Sequence, residues 1–190
     1  MTPVRAIKRA FGALIHVEPN IRMRMALARW CYARLPVVGA AVGIALDRTL
    51  LRSYGLDVRS DRVNVARLTM SHPNGVLLGG NGIVSRGRVS IMSGVKFVGR
   101  SPTDPEYLRL HAEKRVFTLG DNVVIGVNSV IVGPVEITDN VVIAPLSLVN
   151  KSITEPGVYG GVPVKRIKDG VPGDEWVAFL GPAPDEGPGA

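Results

Sequence analysis

An aliphatic residue returns at every sixth position along the second half of the chain. The positions are Leu119, Ile125, Ile131, Ile137, Ile143 and Val149, and a small or β-branched residue stands four places after each. Neither the 3.6-residue period of an α-helix nor the two-residue period of a simple strand explains this spacing. It is typical of a triangular parallel β-helix, in which three repeats complete one coil and each repeat forms a short strand and a corner.

A second tract with the same spacing lies earlier in the chain. Its aliphatic positions are Leu77, Ile83, Val89 and Val95, and its companion positions are Asn81, Gly87, Ser93 and Gly99. Because 24 residues separate Val95 from Leu119, we expect both tracts to share one phase. Gly-Asp-Asn at 120–122 and Thr-Asp-Asn at 138–140 supply turn residues one coil apart. The predicted fold class is therefore mainly β, a parallel β-helix.

A charged, proline-containing segment separates the two tracts. Residues 100–118 begin with Ser-Pro-Thr-Asp-Pro at 101–105 and continue with mixed charges up to Arg115. We expect a loop that leaves the coil, since long loops on rigid scaffolds often carry function. The β-helix domain is predicted to span residues 56–168, followed by a tail at 169–190 that is disordered from Gly181.

The first third of the chain is predicted to be helical. Val4, Ile7, Phe11, Leu14 and Ile15 recur at helical spacing, which predicts an amphipathic helix that ends near Glu18 and Pro19. A second helix is expected from about Ile21 to Leu35, with Pro36 as its breaker. The apolar run 37–46 is expected to pack closely, and 48–54 to lead out of an N-terminal segment at 1–55.

The net charge of +7 belongs entirely to residues 1–59. They hold ten Arg or Lys against three acids, whereas the other 131 residues hold 13 of each sign. Two interpretations stand: a helical cap with a solvated basic face, or peripheral docking on an anionic membrane. Nucleic acid is not expected as a partner, because no aromatic residues interleave with the basic ones.

Cysteine content and hydropathy bear on location. Cys31 is the only cysteine, so no internal disulfide can form and a reducing compartment is expected. The longest apolar run, 35–46, is too short to span a bilayer, and no cleavable signal pattern opens the chain. We expect a cytoplasmic protein, with the inner face of the membrane as its peripheral site if residues 1–59 dock there.

At this point the chain resembles the left-handed β-helix, hexapeptide-repeat acyltransferases, and among them the serine acetyltransferase-like branch. The resemblance covers about residues 25–168. It rests on Gly-Asp-Asn-Val-Val-Ile-Gly at 120–126, on Gly-Val-Pro-Val-Lys at 161–165, and on Ser-His-Pro-Asn-Gly-Val at 71–76. It implies a left-handed coil, acetyl-CoA as co-substrate and acyl transfer to a hydroxyl.

The resemblance identifies His72 and Asp57 as the catalytic pair, because the family places its Asp fifteen residues before its His. A hydroxyl is a weak nucleophile near neutral pH, so a base must take its proton as it attacks a thioester. Imidazole has a suitable pKa, and a carboxylate on its other nitrogen fixes the tautomer. Packing or capping is the structural alternative for His72.

Two departures from serine acetyltransferases concern the acceptor. The family carries an acid immediately before its catalytic His, where this chain has Ser71, and a second His after the conserved Arg, where this chain has Val116 after Arg115. The expected acceptor is therefore a sugar hydroxyl of a polysaccharide or natural product, and serine is the alternative. Ser71, Arg115 and His111 are the candidate acceptor contacts, although His111 also fits a solvated loop residue.

The resemblance also implies the co-substrate site. The pantetheine arm of coenzyme A is expected along Gly126, Val127, Ala144 and Pro145, with the proline lacking an N–H donor. Lys151, Lys165 and Arg166, with Lys168 beside them, are candidate phosphate contacts, and ordinary surface charge is the equally weighted alternative. Three dispersed histidines give no zinc-ligand pattern, so no metal is expected.

The expected assembly is a homotrimer, or a dimer of trimers, with the site between neighbouring coils. A rival of another class is a catalytically idle β-helix that serves as a scaffold or a membrane-docked partner.

Overall fold

Short strands stack in register to form the three faces of a parallel β-helix. The computed structural model describes residues 16–34, 38–101, 103–170, 173, 176 and 178–180. Within them five successive coils are wound, and each coil contributes one short stretch to each face. This confirms the predicted mainly-β, left-handed parallel β-helix.

The first face is a sheet in the order β1, β3, β5, β8, β11. The second and third faces are joined, because the longer strands β2 and β4 run along both. Strand β13 pairs antiparallel with β12 and closes the stack. The strand bounds are β1 Asp57–Val58, β2 Val63–Thr69, β3 Leu77–Gly79, β4 Ile83–Ile91, β5 Lys96–Gly99, β6 Phe117–Leu119, β7 Val123–Ile125, β8 Val130–Gly133, β9 Val135–Ile137, β10 Val141–Ile143, β11 Leu148–Val149, β12 Gly157–Gly160 and β13 Lys165–Asp169.

The core confirms the six-residue repeat from Leu119 onward but corrects the phase of the earlier tract. Leu119 lies in register with Ser85, and Ile125 lies in register with Ile91. Val89 instead pairs with Val123, which is a companion position. The expectation of one shared phase is therefore wrong. In the first tract, the inward aliphatic column is Ser85, Ile91 and Phe97, whereas Ile83, Val89 and Val95 occupy the companion column.

Two helices precede the coils, and they differ from the predicted boundaries. Helix α1, Val17–Arg34, begins before Glu18 and Pro19, so these residues lie in its first turn rather than at the end of an earlier helix. Proline is tolerated there because first-turn N–H groups have no helical partner. Helix α2, Val38–Tyr54, joins the apolar run and the expected lead-out into one helix. The predicted helix at 4–15, the break at Pro36 and the tail from Gly181 lie outside the described residues.

A buried carboxylate fixes the helices to the first coil. Asp47 of α2 accepts hydrogen bonds from Tyr32 Oη of α1 at 2.9 Å and from Ser60 N at 3.1 Å. Ser60 Oγ donates to its other oxygen at 2.5 Å. Ser60 belongs to a short 3-10 helix, Ser60–Arg62, that follows β1. Burial and the Asp47 hydrogen bond raise the pKa of Tyr32, so its hydroxyl stays protonated and can donate. These hydrogen bonds hold the helical hairpin formed by α1 and α2 at one end of the β-helix.

The segment between β5 and β6 contains a helix and is not a bare loop. Helix α3, Pro105–Ala112, is capped by Asp104, whose side chain accepts from Tyr107 N at 2.9 Å. Tyr107 Oη donates to Asn81 Oδ1 at 2.6 Å, which fastens α3 to the coil. A second 3-10 helix, Ala178–Leu180, packs Leu180 against outward valines of the third face. Within the described ranges, none of the helices combines the length and apolarity needed to cross a membrane.

Candidate active site

His72 lies at the corner between the third and first faces, in the turn that follows β2. Two backbone hydrogen bonds stack this turn on the coil below: Gly75 N donates to Gly55 O at 3.1 Å, and Asp57 N donates to Val76 O at 2.9 Å. Gly75 adopts φ +73°, a left-handed conformation that favours glycine. Gly75 therefore lets the backbone turn this corner, and the two hydrogen bonds hold the His-Pro-Asn-Gly turn in place.

The structure brings the segments of His72 and Asp57 together but shows no hydrogen bond between their side chains. Both side chains are exposed, as is Ser71. Asp57 lines a cavity of about 350 Å³ between α2 and the first coil, together with Asp47, Arg48 and Arg59, and His72 is outside that lining. The proposed contact between carboxylate and imidazole thus stays a prediction.

The candidate co-substrate residues occupy the same corner as His72, two and three coils further along the β-helix. Gly126 N donates to Ile143 O at 2.8 Å, and Ala144 N donates to Tyr159 O at 2.7 Å. A Cβ on Gly126 would lie 2.6 Å from Pro145 N, so the coils approach closely there. Hydrogen bonds between neighbouring coils therefore use both of these amides. The Val127 amide has no partner among the described residues, so it is the donor left for a ligand.

The basic candidates beyond the last corner fall into two groups. Lys151 and Lys165 are exposed and make no ion pair within the described part of the chain. Arg166 pairs with Glu155 and with Asp169, the latter at 3.0 Å, and it also donates to Pro156 O. The two lysines are free to meet phosphates, whereas Arg166 already closes the β12–β13 pair.

Arg115 lies on the other side of the molecule, between two cavities of about 1010 and 420 Å³. Its Nε lies 2.7 Å from Glu113 Oε2. Hydrogen bonds from Arg109 and then from Arg115 hold the pKa of Glu113 below its usual value. The next residue, Val116, is 1% exposed and packs in the core. A histidine there would have to leave the coil to reach a ligand.

His111 is positioned by the first coil rather than by His72. Arg62 donates to His111 O at 2.9 Å, and Arg62 Nη1 lies 3.5 Å from His111 Nε2. The Tyr107 ring lies beside its imidazole at 5.7 Å between centroids. His111 belongs to the insertion between the first and second faces, so within one chain it does not share a corner with His72.

Sequence reasoning missed a basic groove on the second face. The larger cavity is lined by Arg67, Arg86, Arg88 and Arg115. Its two carboxylates accept backbone hydrogen bonds: Asp121 from Arg88 N at 2.7 Å, and Asp139 from Asp121 N at 2.7 Å. Asp121 Oδ1 also lies 4.0 Å from Arg88 Nε. The sequence signal was Arg-Gly-Arg at 86–88, at the corner of a coil longer than a plain three-repeat turn. Among the described residues, no three His, Cys, Asp or Glu side chains come together as a metal site.

Comparisons with known proteins agree with this architecture. Residues 118–151 match the family model described as bacterial transferase hexapeptide, six repeats. A serine acetyltransferase of Mycobacterium tuberculosis is 29% identical over 146 residues, which are 77% of this chain and 58% of that protein. The chain thus spans little more than half of that relative.

Solved structures give the same fold. The serine acetyltransferase of Neisseria gonorrhoeae superposes with a TM-score of 0.69 at 20% identity, over 89% of this chain and 62% of that one. A serine acetyltransferase solved in complex with CoA superposes at 0.64 and 17% identity, over 82% and 60%. The predicted resemblance to hexapeptide-repeat acyltransferases of the serine acetyltransferase-like branch is confirmed.

Proposed function

We propose that this chain is an acetyl-CoA-dependent O-acetyltransferase with His72 as its general base. The observation that carries the proposal is the shared corner: the candidate base and the close-packed backbone at Gly126 and Ala144 lie along one edge of the β-helix. The similar serine acetyltransferase of Mycobacterium tuberculosis supports the reaction class, and the solved complex with CoA is a structure of the same fold.

The proposed step is a direct acyl transfer. As His72 takes the proton of the acceptor hydroxyl, the oxygen attacks the thioester carbonyl and forms the new C–O bond. The C–S bond then breaks, and the leaving thiolate of coenzyme A takes the proton back from the imidazolium. Asp57 holds the imidazole tautomer, and a backbone N–H such as that of Val127 stabilises the developing oxyanion.

Serine is the acceptor to test first. The similar protein of Mycobacterium tuberculosis is a serine acetyltransferase, and Arg115 is the residue for which the resemblance implies a contact to the acceptor. Coenzyme A would extend toward Lys151 and Lys165, which are free to contact phosphate.

A sugar hydroxyl is the second candidate, and two positions favour it. Ser71 offers no charge to a substrate amine, and the side chain of Val116 is buried in the core. Both contacts expected for a zwitterionic amino acid are therefore missing from this chain. A neutral hydroxyl acceptor does not need either contact.

The partners proposed with this activity are two further copies of the chain, as a homotrimer or a dimer of trimers. A cytoplasmic location is proposed with it. Peripheral contact of residues 1–59 with an anionic membrane, at its inner face, remains a separate proposal.

The activity is tested by thiol release from acetyl-CoA with a panel of serine, other amino acids, sugars and nucleotide sugars. Rapid turnover with serine supports the first acceptor, and turnover with a sugar but not with serine supports the second. Absence of turnover with every acceptor of the panel, by a protein that is folded and trimeric, contradicts the proposed activity and favours the scaffold hypothesis.

His72→Ala separates the enzyme from the scaffold. We expect a loss of about 10²–10⁴-fold in kcat with the assembly unchanged, because general-base catalysis contributes on that order. His16→Ala, at an exposed position of the helical segment, is the matched control and should keep full activity. Equal activity of His72→Ala and the wild type would contradict the assigned role.

A further inference from the structure

The two helices expose a row of large apolar side chains on the side away from the β-helix. In α1, Met23, Leu27 and Trp30 follow at spacings of four and three, so they share one helix face. The opposite face of α1 carries the buried residues Ile21, Met25 and Ala28. The exposed residues therefore lie on the outer side of the helix.

A second apolar row runs along α2 beside the first. Val38 and Val42 are one turn apart, and the same row continues to Thr49 and Ser53. Arg24 of α1 donates to Thr49 Oγ1 at 3.2 Å and to Ser53 Oγ at 3.4 Å, so this row borders α1. We call Met23, Leu27, Trp30, Val38 and Val42 the hairpin face; their exposed fractions run from 38% for Val42 to 61% for Val38.

The charge around the hairpin face has one sign. Arg34 and Arg52 are exposed on α1 and α2, whereas Arg22 and Arg48 line cavities between the helices and the first coil. Neither of the two acids in these helices adds an exposed negative charge. Glu18 is half-buried and lies 3.9 Å from Arg22, and Asp47 is buried and accepts three hydrogen bonds. Within 16–34 and 38–54 no carboxylate is exposed, so the surface is apolar with a purely cationic border.

This charge pattern argues against two occupants, a second copy of the same face and the preceding residues 1–15. A two-fold contact with a second copy of the same face would bring Arg34 and Arg52 of one copy against the same two arginines of the other. The preceding residues 1–15 carry Arg5, Lys8 and Arg9 and no acid, so they would add like charge. A suitable partner combines an apolar interior with an anionic surface.

We propose that the hairpin face docks on an anionic lipid surface. Trp30, Leu27 and Met23 enter the boundary between headgroups and acyl chains, where Trp is favoured, and the arginines meet the phosphates and carboxylates of the headgroups. An amphipathic surface of this kind binds in the plane of the interface and does not span the bilayer. The proposal is independent of the acetyltransferase activity, since it uses no residue of the candidate active site.

The experiment is flotation of the full chain with vesicles, without substrates. Vesicles of phosphatidylcholine alone are compared with vesicles containing about 30% phosphatidylserine, at about 0.1 and 0.5 M salt. We expect binding to the anionic vesicles at low salt and at least about tenfold weaker binding at high salt or on the neutral lipid. Equal binding to both lipids would overturn the proposal, as would binding to neither.

A matched pair of double variants locates the contact. Leu27→Ser with Arg52→Gln removes one apolar and one basic side chain from the outer side of the helices, and we expect at least about tenfold weaker binding. Leu108→Ser with Arg109→Gln makes the same exchange on α3, where Leu108 is 51% exposed, and should bind like the wild type. Equal loss in both variants, or loss in neither, contradicts the assignment.

A spectroscopic readout excludes a merely structural effect. In Trp176→Phe, Trp30 is the single remaining tryptophan. Its emission should shift to the blue on anionic vesicles and be quenched by brominated acyl chains. An unchanged Trp30 spectrum on saturating vesicles, or self-association through this face without lipid in sedimentation, would show that the occupant is not a membrane.

Discussion

Ser71 occupies the position at which the resemblance implies a carboxylate for the substrate amine. It is exposed beside His72, so a longer acidic side chain there would not disturb the core. We predict that Ser71→Asp lowers the KM for serine at least about tenfold, since hydrogen bonds to charged groups contribute about 1.5–3 kcal/mol. The KM for a sugar acceptor should not fall.

Thiol-release kinetics at varied serine concentration measure this effect. Ser71→Asn is the matched control, because it has nearly the same size as the aspartate variant and no charge. An equal improvement in both variants would show that shape rather than charge decides, and an unchanged KM in both would remove position 71 from the acceptor site.

Individual residues could be proposed from the sequence, but their hydrogen-bond state could not. The motif at 71–76 made His72 a candidate, and the structure stacks that turn on the Asp57 coil. Nothing in the sequence revealed that the Gly126 and Ala144 amides are used by the coil ladder, or that Arg166 pairs with Glu155 and Asp169. These properties depend on which coil lies next to which.

At the scale of the element, the repeat was predicted where every coil has the same length. It was misassigned where the coils are longer: Val63 pairs with Ile83 and Val89 pairs with Val123, separations of 20 and 34 residues. The β2–β4 pairing is irregular between Val65 and Arg67. Such a bulge adds a residue without exposing an apolar one, so the hydrophobic pattern cannot reveal it.

The α3 insertion is fastened to the first coil by an ion pair. Lys114 Nζ and Arg59 Nε each lie 3.0 Å from an oxygen of Asp61. Burial alone would raise the pKa of Asp61, but the hydrogen bond and charge of Lys114, with those of Arg59, hold it below its usual value. A lowered pKa in the folded state means that ionised Asp61 stabilises the fold.

We predict the pH dependence of that contribution from its sign. It is fully present above the unfolded pKa of about 3.9 and disappears as the pH falls through the lower folded pKa. Asp61→Asn should therefore reduce the free energy of unfolding at pH 7, by up to about 1 kcal/mol for a partly exposed pair. The difference from wild type should shrink below about pH 4.

Chemical denaturation of both proteins at several pH values measures that difference. Asp104→Asn is a suitable control, because asparagine can still cap α3. A difference between Asp61→Asn and wild type that stays constant from pH 7 to below pH 4 would contradict an ionic origin.

At the scale of the whole molecule, the two halves of the proposed site lie apart. His72 and the candidate coenzyme A residues lie at the corner between the third and first faces, whereas Arg115 follows the insertion between the first and second faces. One subunit therefore cannot bring His72 and Arg115 to one acceptor unless the chain rearranges. In the proposed homotrimer the problem would be solved if the corner of one copy faced the insertion of its neighbour.

Subunit complementation tests this arrangement. His72→Ala and Arg115→Ala should each be inactive alone, since each removes one half of every site. When the two variants are refolded together in equal amounts, about a quarter of the sites combine an intact His72 from one copy with an intact Arg115 from its neighbour. We expect about that fraction of wild-type kcat, with a sedimentation mass of about 61 kDa for three chains of 20.3 kDa. A mixture that stays as inactive as its components, although trimeric, would place both residues of a site in one subunit or remove one of them from it.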